Sequence, residues 1–182
     1  MKRLILSLLL VACGVALSGT PTTAKIKAIT LEGMCRMMDD AVVGTIVHSH
    51  SFRVDHPVDG PELYYTTLTV AGRSLVNGQE KTTDVTFLGG FIDETNGTFN
   101  SESPSMQETQ IGNEVVVFHM WSDNIGGDVA CNVLIGGHGG LFPVVNNREG
   151  QKVVLGRGAG YPVSSNVPLN DLDRNITKIL NR

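Results

Sequence analysis

The feature that most constrains this chain is a change of hydrophobic period at Val42. Before it, "LEGMCRMMDDA" (residues 31–41) sets Leu31, Met34, Cys35 and Met38 at helical spacing, with Thr30 placed as N-cap. After it the apolar residues alternate. "VVGTIVHSHSFRV" runs into "HPVDGPE" and returns as "LYYTTLTVAG", an antiparallel hairpin rich in β-branched and aromatic residues. "TTDVTFLGG", "NEVVVFHMW", "DVACNVLIGG", "GLFPVV" and "QKVVLG" are further strands, separated by glycine-rich turns. Asp93 to Gln110 has no apolar pattern and is expected to be a long surface loop. Seven short strands with such turns predict a mainly β fold, a small antiparallel β-barrel or sandwich.

The tail returns to helical spacing. In "PLNDLDRNITKILNR", Leu169, Leu172, Ile176, Ile179 and Leu180 share one face of a helix over residues 168–181. Asp171 and Asp173 come early and Arg174, Lys178 and Arg182 late, as the helix dipole favours. This amphipathic helix is expected to close an open end of the barrel; the alternative is a helix offered to a partner's groove. The Met and Cys stripe of residues 31–41 reads as core packing rather than as a soft-ligand copper site.

The N-terminus is set apart from the fold. Lys2 and Arg3 followed by "LILSLLLVACGVAL" make residues 1–24 a signal peptide, cleaved near residue 18 after "ALS" or near 24 after "TTA". The mature chain then begins near Gly19 or Lys25. The apolar run falls short of the ~18 residues of a membrane span. A second route is open in "LVACG", where Leu10 to Ala12 precede Cys13 as in a bacterial lipobox; Cys13 would then be lipidated and hold the protein in the cell envelope. Cys13 comes early, with "GVAL" still to follow, which favours plain secretion to a periplasmic or extracellular location. Residues 25–182 suit a single β-rich domain. A net charge of −4 without a basic patch argues against a nucleic-acid partner. If Cys13 leaves with the leader, Cys35 and Cys131 form an even pair in an oxidising compartment. A disulfide tying the first helix to the "DVACNVLI" strand is expected, with two buried free thiols as the alternative.

One stretch raises a chemical question. "VHSHSFRVDH" concentrates His48, His50 and His56 of the chain's five histidines. On a regular strand His48 and His50 share a face with Ile46, Phe52 and Val54, and two imidazoles at that spacing can ligate one ion. His119 in "VVVFHMW" is a candidate third ligand, with His56 or Asp55 at the hairpin end. Three histidines with an open position suit zinc, and copper is the other metal considered. The preferred reading is a solvated strand end without cofactor, because polar residues begin on both faces at His48 as the turn approaches. The sequence holds no G-x-S-x-G elbow, phosphate-cradling G-x-x-x-x-G-K-[ST] or H-E-x-x-H, so no catalytic residue is assigned. Sequons at Asn96 and Asn175 carry no meaning in a bacterial host.

The order of segments "DDAVVGTIVHSHSF", "YYTTLTVAGRSLVNG", "VTFLGG", "IGNEVVVFHMW" and "VLIGGHGGLFPV" resembles a family of secreted bacterial β-domains without established chemistry, sometimes found beside matrixin-like zinc proteases. The resemblance spans roughly residues 31–145 and is carried by glycines and strand apolars. It implies an exported β-barrel-like domain and names no catalytic residue; "HSHS" and the Cys35 and Cys131 pair depart from its pattern. The expected function is that of a non-enzymatic exported domain binding a protein or cell-envelope partner through loops and edge strands. The alternative is a small metalloprotein using His48 and His50.

Overall fold

The structure, a computed structural model, describes residues 28–181. The expected signal peptide, its cleavage sites and the lipidation of Cys13 lie outside the described residues. The first helix, α1 (Leu31–Met37), is capped by the Thr30 hydroxyl, which accepts from the Gly33 amide at 3.1 Å. The strands are β1 (Asp40–His56), β2 (Gly60–Ser74), β3 (Glu80–Leu88), β4 (Gly90–Phe91), β5 (Gly97–Thr98), β6 (Glu114–Ser122), β7 (Cys131–Leu134), β8 (Leu141–Asn146), β9 (Lys152–Val154) and β10 (Val167–Pro168). A 3₁₀ turn at Gly137–Gly140 precedes β8, and α2 (Leu169–Leu180) ends the fold.

β1, β2, β3, β7 and β6 form a closed barrel, because β6 returns to pair with β1 from Asp40–His119 to Thr45–Glu114. Of the two expected β architectures, the barrel is the one adopted. β3 and β7 meet in parallel at Thr86 and Val133, whereas the other barrel contacts are antiparallel. Numbered along the chain, the five strands close in the order 1-2-3-5-4, the connectivity of the Greek-key barrel of OB type. A barrel this narrow forces β1 to coil sharply while bonding to two neighbours. Gly44 lies opposite Gly72 at the tightest point, and a Cβ on Gly72 would collide with the Val43 carbonyl and Gly44 Cα.

Two cores follow from side-chain alternation. Val42, Ile46, Leu68, Val70, Val85, Phe87, Val115 and Val117 fill the barrel. Ala41, Val43, Val116 and Phe118 point outward and are covered by both helices, β8 and β9. The continuous run Val115–Phe118 is buried on both faces, so this wall needs an apolar cover. That requirement corrects the expected place of the last helix. α2 lies on the outer wall, with Leu169, Leu172 and Ile176 buried against it, rather than closing a barrel end; Leu180 is 40 % exposed and lies off that face.

The expected Cys35–Cys131 disulfide is absent, and both residues are free thiols. Cys35 is buried in the helix layer, whereas Cys131 opens β7 beside Thr86. Burial pushes the Cys35 thiol up to about 11. Thiol titration of the denatured, unreduced domain should therefore find both thiols. In the folded protein Cys131 should react before Cys35, and protection of both until reductant is added would contradict this arrangement.

Candidate functional site

The site begins with one extra residue in β1. Ile46 lies opposite Val70 but His48 lies opposite Thr69, so Val47 is a bulge, and the residues from His48 to Val54 reverse their sides. Ser49 faces with Leu68 and Ser51 with Thr66, continuing the inner row of Val42, Gly44 and Ile46. The serines of "HSHS" thus point into the barrel end, and the histidines point out.

The serines help form the floor of a cavity of about 650 Å³ beneath residues 89–113, which roof this end of the barrel. The Thr66 hydroxyl donates to the Gly89 carbonyl at 2.8 Å, so in its 2.9 Å contact with Ser51 it accepts, and Ser51 is the donor. Gly90, at φ +130°, crosses this pair; any Cβ there would strike the Thr66 and Ser51 hydroxyls. Phe87, Phe91, Phe99, Pro104, Met106 and Ile111 give the cavity apolar walls. The stretch expected to be a long surface loop, Asp93 to Gln110, is largely that; within it only β5 is regular, paired with β4 in a small hairpin, and the rest passes over the barrel end.

An ion pair fastens the roof. Glu108 accepts from the Ser105 amide and hydroxyl, each at 2.9 Å, and from Arg157. Arg157 also donates to the Leu141 carbonyl through Nε and Nη2, at 3.0 and 2.8 Å, and lies 5.8 Å from the centre of the Phe142 ring. Burial pushes the Glu108 carboxyl up, but the Ser105 bonds and Arg157 outweigh it and hold the group below the usual glutamate range. The fastening is therefore intact at neutral pH and weakens only on acidification through that lowered value.

His138 stands at the cavity edge. Its Nδ1 faces the Glu102 carbonyl at 3.2 Å, which only accepts, so Nδ1 carries a proton; Nε2 shares a 2.6 Å hydrogen bond with the Tyr161 hydroxyl. The glycines of "GGHGG" permit this placement: a Cβ on Gly137 would meet the Glu102 carbonyl, and one on Gly140 the Ile135 carbonyl. Both imidazole nitrogens are engaged away from the floor hydroxyls. The arrangement suits binding of an uncharged group, with hydroxyls below and apolar side chains around.

The candidate metal ligands do not converge. His48 and His50 are exposed side by side, and His50 packs edge-on against Phe52 at 5.6 Å. They share a face with Phe52 as expected, but the bulge puts Ile46 on the other side. His119 pairs with Asp40 at the start of β1, about 25 Å of strand from His48 at ~3.3 Å per residue. His56 Nδ1 accepts from the Asp59 amide and its Nε2 meets Asp128, while Asp55 holds Arg53 and the Glu62 amide. Among the described residues no group of three or more His, Cys, Asp or Glu is placed to hold a metal ion.

His119 instead belongs to a polar cluster at the opposite barrel end. Asp40 accepts from Ser74 and from Lys81, both at 2.7 Å. His119 is 3 % exposed, and neither ring nitrogen has a hydrogen-bond partner among the described residues. Burial first, and Lys81 second, lower its pKa against the opposing pull of Asp40 and Asp39. Ser74 also accepts from the Val76 and Asn77 amides, which makes the cluster an anchor of the β2–β3 turn.

Sequence reasoning missed Ser49, Ser51, Thr66, Glu108, His138 and Arg157. Only the paired glycines at Gly89–Gly90 and in "GGHGG" signalled close backbone approaches there. Compared with known proteins, the chain matches no family model, curated protein or solved structure. The site therefore rests on its geometry.

Two outcomes are expected. Arg157→Leu leaves a largely buried carboxylate without its cation, and should cost about 1.5–3 kcal/mol in urea unfolding. It should also speed hydrogen exchange over residues 105–110, and unchanged exchange would deny the fastening. For His119, a lowered folded-state pKa means that stability is full above the ordinary imidazole value and is lost as pH falls below it. Unfolding midpoints measured across that range should vary less with pH in His119→Leu than in the unmodified protein.

Proposed function

We propose that this protein is an exported, non-enzymatic binding domain that takes a protein or cell-envelope partner at the roofed end of its barrel. The carrying observation is the coincidence of a cavity with an exposed apolar rim. Phe99, Met106 and Ile111 are 80 %, 78 % and 63 % exposed, and all three line the same cavity. Large apolar side chains presented around a concavity favour association with a partner.

The alternative ligand surface of OB-type barrels, the loops joining strands 1–2 and 4–5, is less open in this protein. His56 binds Asp128, and the Asp59 carboxylate accepts from the Gly127 amide at 2.7 Å, so the two loops hold each other. Tyr65 beneath them donates to the Ile125 and Gly126 carbonyls. Export is supported by the signal-peptide pattern expected over residues 1–24 and by the resemblance to secreted β-domains. No helix among the described residues is long and apolar enough to cross a membrane.

A photo-reactive residue at position 106, irradiated in the producing cells, should yield a discrete adduct. The same residue at Val58, 84 % exposed at the tip of the β1–β2 turn, should not. Ser51→Trp, which fills the cavity floor, should abolish the adduct. Failure to form one from position 106, or equal adducts from both positions, would count against the reading.

A further inference from the structure

Resting on that reading, we propose that the occupant of the cavity is a polypeptide segment carrying one large apolar side chain flanked by lysine or arginine. The roofing segment, residues 89–113, carries Asp93, Glu94, Glu102 and Glu108 and no lysine or arginine. Of these, only Glu108 is in an ion pair among the described residues, and its partner Arg157, bonded to it and to the Leu141 carbonyl, balances its charge. Asp93, Glu94 and Glu102 do not line the cavity themselves, but they are exposed on the segment that roofs it, close in the chain to the lining residues Phe91, Ser101 and Ser103, and have no ion-pair partner among the described residues. Such a roof draws cationic segments towards this end of the barrel and repels an anionic lipid surface.

The interior selects differently. Phe87 and the mobile-ended Met106 can surround an aliphatic or aromatic group, and a cavity of about 650 Å³ has room for one such side chain with its adjoining backbone. The Ser51 hydroxyl, whose proton lies on Thr66, keeps a lone pair for an amide N–H. Apolar centre, amide donors and basic flanks together describe a peptide more closely than a neutral saccharide, which would leave the charge of the roof unused and much of the apolar wall without contact.

A positional-scanning heptapeptide library on the full mature protein tests this. Large apolar residues should be enriched at the centre and Lys or Arg at the flanks. One enriched peptide is then titrated by fluorescence anisotropy. Phe99→Ser should weaken it about tenfold or more, as expected for an anchor contact. The Glu94→Gln, Glu102→Gln pair should weaken it several-fold at low salt, by an amount that shrinks as salt rises over the ~10 Å screening range. All three positions are exposed, and matched thermal unfolding establishes that the variants fold. Enrichment of acidic flanks, absence of positional preference, or an affinity unmoved by both variants overturns the proposal. A blank library alongside a discrete adduct from position 106 rejects the peptide segment and keeps the binding reading. A blank in both rejects both.

Discussion

The structure depends on closing a five-stranded barrel around one strand that must bond to two neighbours. β1 is 17 residues long, pairs with β2 along almost all of its length and gives its first part to β6 as well. Backbone atoms must come unusually close for a narrow barrel to close this way, and the facing pair Gly44 and Gly72 allows it. The bulge at Val47 adds the local twist that carries the remainder of β1 past the barrel rim. Closure also fixes what lies outside. Because Val115–Phe118 is apolar without interruption, the wall at β6 needs a second layer, and both helices are drawn there.

The two ends of the barrel are finished by different chemistry. At one end Asp40, Ser74 and Lys81 satisfy one another and stitch β1, β2 and β3 together, with His119 buried beside them. At the other, hydroxyls replace charge on the floor, and the long connection from β3 to β6 arches over them. That connection has few apolar anchors of its own, so its position rests on directional contacts: Glu108 to Arg157, Ser103 to the Leu88 carbonyl, and the His138 amide to the Glu102 carbonyl. Held by such contacts instead of close packing, the roof leaves space beneath it.

The same physics explains which chemistry was misplaced on reading the chain. His48 and His50 draw attention as potential ligands, yet in a strand a histidine's surroundings are set by the face it occupies. One inserted residue exchanges the faces of His48, Ser49, His50 and Ser51 without changing their spacing. The cysteine pair illustrates a second limit. Cys35 and Cys131 are even in number and suited to an oxidising compartment, but pairing depends on where the fold puts each, and Cys35 is buried in the helix-covered layer whereas Cys131 is a half-buried residue outside it.

Local pattern determined the elements. The alternation after Val42, the helical spacing of Leu31 to Met38 and of Leu169 to Ile176, the Thr30 cap and the turn at Gly60 all act between residues close in the chain, and each is visible in the sequence. Tertiary structure alone decided the cavity, the roof and the sidedness of β1. The Glu108–Arg157, Ser51–Thr66 and His138–Tyr161 pairs join residues far apart in sequence, and no periodicity records which distant partner a polar side chain will meet. The glycines of "LGG" and "GGHGG" mark where backbones come close, but only the folded barrel reveals what they come close to.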